Sequence, residues 1–281
     1  MNFRESCLPP GWYPRNPDEI SRFLSPFLDG DGAGSSRAAI APHAGWFYSG
    51  KTAARAAASL DRKAETVVVI GGHLPNGYPP LFAMEDGVET PLGGLAIDAE
   101  LRETLCAAIK GRSDEYSDNT VEVLLPMVRF FMPNARLLWL RLPADIASFE
   151  AGKTLAEAAK GIGRNIVVLG STDLTHYGAN YRFAPKGLGP KALQWVKEVN
   201  DKNFIDAVEA GEPKAVLERA EEDMSSCSAG AVLGAMGYAS AINAGPARLL
   251  EYSTSADAMN AEGIMTIPDS FVGYAAFAMS N

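Results

Sequence analysis

The three histidines of the chain all follow short apolar segments that are typical of buried strands. His43 ends the segment Ala-Ala-Ile-Ala-Pro-His, His73 ends Val-Val-Val-Ile-Gly-Gly-His, and His176 follows Val-Val-Leu-Gly-Ser-Thr-Asp-Leu-Thr. In open α/β sheets, ligands and reactive groups gather at the carboxyl ends of the strands. A single histidine is more often a packed or surface residue, but three in the same kind of position predict one shared site.

Two further side chains offer chemistry to such a site. Asp173 lies three residues before His176, and we expect it to fix the tautomer of that imidazole; the alternative is that it caps the following turn. Cys227 lies where a helix is expected to begin, which lowers a thiol pKa. A small buried cysteine without reactivity is the alternative there. Imidazoles near a thiolate or carboxylate suit Fe(II), Zn(II) or copper.

Apolar, β-branched segments alternate with longer amphipathic ones along the chain, which predicts βαβ units. A first helix is expected over 17–28, with Asn16 as its N-cap and Pro17 at its first position. Strands are predicted at residues 38–41, 66–70, 135–142, 166–169, 248–253 and 271–277. Helices are predicted at residues 51–60, 99–110, 149–160, 193–209 and 213–222, and another is expected to start near Cys227 and to run through 229–240, whose small residues allow close packing.

These elements predict an α/β fold with a central, mostly parallel sheet flanked by helices. The length of 281 residues and the 47% of hydrophobic residues supply enough apolar surface for a sizeable core. The sequence has no internal repeat, and it has no linker long enough to separate two domains. We therefore expect one domain over residues 1–281.

Charge and composition exclude several classes of protein. The chain has 25 Lys and Arg against 34 Asp and Glu, a net charge of −9, and no basic run. This balance argues against binding to nucleic acid or to an anionic membrane. The N-terminal sequence is unlike a secretory signal, the apolar runs are too short to span a membrane, and three cysteines do not indicate a disulfide framework. We therefore expect a cytoplasmic protein.

Several motifs, in their order along the chain, resemble those of the Memo family, which comprises the mediator of ErbB-driven cell motility and its bacterial and archaeal relatives. They are Gly-Trp-Tyr-Pro at 11–14, Ala-Pro-His-Ala-Gly-Trp-Phe-Tyr-Ser-Gly at 41–50, Gly-His at 72–73, Thr-Pro-Leu-Gly at 90–93, Ser-Thr-Asp-Leu-Thr-His-Tyr-Gly at 171–178, and Cys227. Each motif alone is weak evidence, but the ordered set is specific.

The resemblance implies a fold shared with class III extradiol (LigB-type) dioxygenases, which hold non-haem Fe(II) with two histidines and a carboxylate. By that similarity, His43 and His73 are metal ligands and Cys227 occupies the third ligand position. His176 then matches the acid/base histidine of those enzymes, with Asp173 beside it. Fe(II) is the metal that the resemblance favours, whereas a thiolate ligand also suits copper or zinc.

The chain departs from the family pattern at three places. Asn119 begins Asn-Thr-Val-Glu where the family usually has His-Ser-x-Glu, so a histidine is absent and Glu122 remains. The family has Pro-Ser-His or a similar sequence where this chain has Gly71-Gly72-His73. Ser228 follows Cys227 where the family has glycine.

Three functions follow as hypotheses. The first is a metal-dependent oxidoreductase, similar to a dioxygenase, that acts on a small molecule with His176 moving a proton. The second is an acyl-transfer enzyme or hydrolase that uses zinc, or Cys227 as nucleophile with His176 and Asp173 as base and orienting group. The third is a non-catalytic module that binds a peptide or a metal in the same cleft. Fold analogy alone transfers an activity poorly.

Overall fold

The predicted alternation of strands and helices is confirmed, and it builds a mixed sheet covered by helices on both faces. The computed structural model describes residues 2–30, 32–116, 118–264 and 267–280. Within these ranges, no helix is long and apolar enough to cross a membrane.

The strands are numbered in chain order. They are β1 (Phe3–Arg4), β2 (Ser36–Ala41), β3 (Thr66–Leu74), β4 (Leu81–Phe82), β5 (Gly87–Val88), β6 (Leu95–Ala96), β7 (Arg112–Ser113), β8 (Arg136–Pro143), β9 (Ile166–Ser171), β10 (His176–Gly178), β11 (Arg248–Thr254) and β12 (Ser270–Ser280).

The α-helices are numbered in the same way. They are α1 (Pro17–Leu24), α2 (Trp46–Ser59), α3 (Ala99–Ile109), α4 (Asn119–Glu122), α5 (Leu125–Phe131), α6 (Ala147–Gly161), α7 (Pro190–Trp195), α8 (Asp201–Glu209), α9 (Pro213–Glu222), α10 (Ala229–Ala241) and α11 (Ser255–Ala261). A 3₁₀ turn (Ser25–Phe27) extends α1, and a π-helical turn (Val196–Asn200) joins α7 to α8.

The large sheet has the strand order β10-β12-β2-β9-β3-β8-β4-β7, and β11 also pairs with β12. The central strands β2, β9, β3 and β8 are parallel to one another, as the sequence predicts. Strand β12 is antiparallel to β2, β10 and β11, and β4 is antiparallel to β8. The flanks of the sheet are therefore antiparallel, which the helix–strand alternation did not indicate.

The central strands are mostly apolar because both of their faces are covered. Ile40 and Val68 lie in a core cluster with side chains of α6 and α10. Their neighbours Ala39 and Val67 lie in a second cluster with side chains of α2 and α5. Successive side chains of a strand point to opposite faces, so one sheet organises both clusters.

Helix α10 packs very closely on α6, as its small residues predict. A Cβ atom on Gly237 would lie 1.9 Å from the carbonyl oxygen of Phe149, and one on Gly152 would lie 2.1 Å from that of Gly234. Both obstacles are backbone atoms, which rotation of a side chain cannot move. This close contact fixes α10, and the candidate cysteine lies two residues before its first residue.

Candidate functional site

The strand order brings the predicted site residues to one edge of the sheet. His43 follows the end of β2, Asp173 follows the end of β9, and His73 lies near the end of β3. These three strands are adjacent and parallel, so their carboxyl ends meet. Cys227 lies two residues before α10, which packs against the same strands. These residues are far apart in the sequence, and only the topology of the sheet brings them together.

His43, His73 and Cys227 form a cluster in which one ligand atom of each lies within 4.8 Å of the other two. The Sγ atom of Cys227 is 3.3 Å from Nε2 of His43. The two imidazole rings meet edge to face, with their centroids 5.0 Å apart. His43 is buried, Cys227 is half-buried, and the side chain of His73 is 34% exposed, so the cluster opens to solvent on the His73 side.

A polar group outside the cluster fixes each imidazole through its Nδ1 atom. Nδ1 of His43 is 2.8 Å from the hydroxyl of Ser171. Nδ1 of His73 is 3.0 Å from a carboxylate oxygen of Asp118. Partners of this kind set the tautomer and the ring orientation of metal-binding histidines. They leave the Nε2 atom of each ring for the cluster.

Asp118 connects His73 to a buried cation. Its carboxylate is 3.2 Å from the guanidinium of Arg141 and also accepts from Thr120. Burial on its own would raise the pKa of Asp118, but His73, Thr120 and Arg141 lower it to about 2. Burial likewise opposes the charge on His73, yet Asp118 and Cys227 raise its pKa to about 10. In the absence of a metal, His73 is therefore an imidazolium.

Cys227 lies in surroundings that favour its thiolate. Burial raises the pKa of the thiol, but the charges of His43 and His73 and their hydrogen bonds outweigh burial and lower the pKa well below its usual value. For His43, burial lowers the pKa, whereas Asp173 and Cys227 raise it, and the net change is upward. The neighbour of Cys227 is thus His43, whereas the hydrolase hypothesis paired the thiol with His176.

Asp173 contacts His43 rather than fixing the ring of His176. One of its carboxylate oxygens accepts from the backbone N–H of His43 at 2.7 Å, and the other lies 3.9 Å from Nε2 of that ring. The tautomer of His176 is set by the carbonyl of Leu174, which accepts from Nδ1 at 3.1 Å. Burial raises the pKa of Asp173, and the charges of His43 and His176 oppose that rise.

The cluster opens into a pocket of about 710 Å³ that contains four of the five predicted site residues, namely His43, His73, Asp173 and His176. Phe47 and Tyr48, from the motif at 41–50, line it as well. Trp46 of the same motif and Tyr177, next to His176, are buried. The other aromatic lining residues are Trp12, Tyr181 and Tyr274.

Asn119 and Glu122, which mark the departure from the family pattern, have separate roles. The side-chain amide of Asn119 lines the pocket and donates to the carbonyl of His43 at 3.0 Å. The buried carboxylate of Glu122 accepts from the hydroxyls of Ser6 and Tyr13 and from the backbone N–H groups of Cys7 and Leu8. Glu122 therefore holds the segment that leads to the pocket wall at Trp12.

The other two departures compensate each other in space. A Cβ atom on Gly72 would lie 2.4 Å from the Cβ of Ser228. The hydroxyl of Ser228 accepts from the backbone N–H of His73 at 3.3 Å. His73 has a positive φ of 57°, a conformation that is uncommon for residues other than glycine. The small residue at position 72 thus leaves room for a serine that helps to hold this histidine.

A buried carboxylate also supports the segment before His176. Asp201, at the start of α8, accepts from the backbone N–H and the hydroxyl of Thr175 and from the hydroxyl of Tyr252. Burial raises its pKa to about 6, although these hydrogen bonds oppose the rise. The π-helical turn before Asp201 places Asn200, whose amide also donates to Thr175.

The supporting residues Asp118, Arg141, Glu122 and Asp201 were not recognised as such from the sequence. For one of them the sequence gives an indication: Arg141 is a charged residue inside the apolar segment Leu-Leu-Trp-Leu-Arg-Leu. A charged side chain in a buried strand requires a buried partner. The contact between Glu122 and Ser6 spans 116 residues, and the contact between Asp118 and His73 spans 45. Pairs so distant are not encoded by local spacing.

Comparison with known proteins gives a consistent result. The family model described as Memo-like protein matches residues 4–278. A MEMO1 family protein of Pyrococcus abyssi is 30% identical over 287 residues, which covers 95% of this chain and 96% of that protein. A MEMO1 family protein of Thermococcus onnurineus is 29% identical over 283 residues and 94% of each chain. A crystal structure of an uncharacterized Escherichia coli K12 protein gives a TM-score of 0.43 at 13% identity, covering 85% of this chain and 98% of that one, a similarity too low to carry a structural argument.

Proposed function

The chain belongs to the Memo-like family, and from that premise we propose that its pocket is the metal centre of an oxidoreductase that acts on a small molecule. The observation that carries the proposal is the cluster of His43, His73 and Cys227, whose ligand atoms lie within 4.8 Å of one another at the pocket. The Nδ1 atoms of both rings already have partners, so the Nε2 atoms are left to bind an ion.

The donor set fits a single transition-metal ion. A tetrahedral ion with bonds of about 2.0–2.3 Å to nitrogen and sulfur holds its ligand atoms roughly 3.3–3.8 Å apart, and the observed distance between Sγ and Nε2 is 3.3 Å. We propose Fe(II), because two histidines and one anionic ligand with open positions are typical of non-haem iron oxygenases. The thiolate makes copper or zinc the alternatives. When bound, Fe(II) supplies a Lewis acid and a redox couple to a chelating substrate.

His176 is the residue that we propose to move the proton. Its Nδ1 atom is committed to the carbonyl of Leu174, so Nε2 is left to accept a proton from a substrate hydroxyl and to return it. The ring lines the pocket and packs edge to face against Tyr181, with centroids 4.9 Å apart.

Metal analysis with matched variants tests the proposal. The full chain, purified anaerobically without a His-tag, should contain about one equivalent of iron. His73→Asn removes a ligand while keeping a side chain that tolerates the left-handed backbone conformation, and it should lose the metal. His176→Ala should keep the metal and lose oxygen uptake with a panel of catechols. Zinc in place of iron would favour hydrolysis, and a protein that takes up no metal even after reconstitution would refute the metal centre.

The short distance between Cys227 and His43 supports a second candidate, a cysteine-dependent acyl-transfer enzyme. In that case the thiolate is the nucleophile and His43 is its proton partner. This candidate predicts hydrolysis of activated esters by metal-free protein, with loss of that activity after alkylation of Cys227. Binding of a metal or a peptide with no turnover in either assay would instead identify a non-catalytic binding module.

A further inference from the structure

The pocket beside the metal ligands is aromatic and has few charged groups. Five aromatic side chains line it, and the only carboxylate among its described lining residues is the buried Asp173. No lysine or arginine occurs among those lining residues, while two asparagines and two serines supply neutral polar groups. A site for an anionic substrate normally presents an arginine or a lysine to the anion.

Three of the aromatic side chains are unusually exposed at the mouth of the pocket. Phe47 is 53% exposed, Tyr48 is 44% exposed and Tyr181 is 40% exposed. Phe47 and Tyr48 meet edge to face, with centroids 4.8 Å apart. A cluster of exposed apolar rings around a concave site is typical of a ligand-binding surface.

The cationic groups nearest to the pocket already have anionic partners. The imidazole of His73 is 3.0 Å from Asp118, and the guanidinium of Arg141 is 3.2 Å from both Asp118 and Asp114. Burial raises the pKa of Tyr181 and of Tyr274, and the charge of Asp173 raises both further. An anion entering the pocket would lose its hydration and would meet only cationic groups that already have anionic partners.

We infer that the pocket takes a small aromatic molecule that carries a positive charge or none, and that it excludes molecules bearing a carboxylate or a phosphate. Aromatic faces attract cations, and the attraction increases as water is removed. The inference depends on the proposed function only in taking this pocket as the substrate site.

Binding of three phenols of similar size to the metal-free full chain tests the inference without any turnover. Tyramine is cationic, 4-ethylphenol is neutral and 4-hydroxyphenylacetate is anionic at neutral pH. In calorimetric titrations, we expect tyramine to bind most tightly and the anion to bind at least about tenfold more weakly. Equal or tighter binding of the anion, or no binding of any of the three, would overturn the inference. Because no metal is present, failure of the metal centre would not change this result.

Variants of the exposed rings separate charge selection from simple apolar contact. Phe47→Leu with Tyr48→Leu keeps the apolar bulk but removes two aromatic faces, and it should weaken tyramine severalfold while changing 4-ethylphenol little. Tyr116→Leu is the matched control, because Tyr116 is 57% exposed and does not line the pocket. Asn180→Lys adds a cation to the lining and should strengthen binding of 4-hydroxyphenylacetate. A tyramine preference that survives the double substitution would contradict the role given to the rings.

Discussion

Exchange of the side chains at positions 72 and 228 should show that the two sequence departures beside His73 depend on each other. A Cβ atom on Gly72 would lie 2.4 Å from the Cβ and 2.5 Å from the Oγ of Ser228. Gly72→Ser should therefore destabilise the fold by about 1–3 kcal/mol, the usual effect of overpacking a core. Ser228→Gly loses the hydrogen bond to the N–H of His73, which is worth about 0.5–1.5 kcal/mol, and the contact of its hydroxyl with Sγ of Cys227.

The double variant, Gly72→Ser with Ser228→Gly, should be more stable than Gly72→Ser alone, because the two closest contacts disappear with the side chain at 228. We expect a coupling free energy of at least about 1 kcal/mol, within the range known for residues in contact. Urea denaturation of all four proteins measures it. Gly161→Ser is the control for a glycine-to-serine change, since a Cβ atom there meets nothing within 4 Å. The reasoning is refuted if Gly72→Ser is as stable as the control, or if the second substitution restores nothing.

Three other perturbations test the supporting structure. Glu122→Gln removes a carboxylate oxygen that accepts hydrogen bonds from the N-terminal segment. It should therefore destabilise the protein by about 2–4 kcal/mol and accelerate amide exchange over residues 6–13. The control Glu150→Gln, at an exposed carboxylate, should change neither stability nor exchange. Because the pKa of Asp201 is raised to about 6 in the folded state, its contribution to stability is present below about pH 4 and lost as the pH rises through 6. Relative to Asp201→Asn, the free energy of unfolding should fall by about 2.5 kcal/mol between pH 4 and pH 7, and a flat difference would show that burial does not control this carboxyl. Gly237→Ala places a Cβ atom 1.9 Å from a backbone oxygen of α6, so it should lower the melting temperature by several degrees, while Gly161→Ala leaves it unchanged.

The elements of the sheet were predictable because their signals are local. All the strands predicted from apolar, β-branched segments are present, and the N-cap at Asn16 is confirmed by its side chain, which accepts from the backbone N–H of Asp18. The helix expected over 193–209 forms as α7, a π-helical turn and α8. That turn shifts the register so that Asp201 faces Thr175, a tertiary contact that no helical pattern encodes. The short strands β4–β7 were missed because two residues carry no periodicity.

The antiparallel flank of the sheet was missed for a different reason. Strand β12 has eleven residues and pairs with β10, β11 and β2 along different parts of its length. Its sequence, Ser-Phe-Val-Gly-Tyr-Ala-Ala-Phe-Ala-Met-Ser, is as apolar as that of a parallel central strand, because both of its faces are covered. Apolar content reports burial and not direction, so the orientation of β12 could be read only from its partners.

In the candidate site, too, some features follow from the local sequence and others depend on contacts between residues that are distant in the sequence. His43, His73 and His176 could be recognised because each lies near or beyond the end of a strand, and adjacency of β2, β9 and β3 then brings two of them to Cys227. The spacing of residues along the sequence could not assign the hydrogen-bond partner that orients each imidazole ring. Asp173 is near His176 in sequence, yet its backbone and carboxylate contacts go to Cys227 and His43. A carboxylate in the loop after a strand contacts the side chains at the end of the neighbouring strand. The order of the strands in the sheet therefore decides the role of Asp173 more than its distance from His176 in the sequence does.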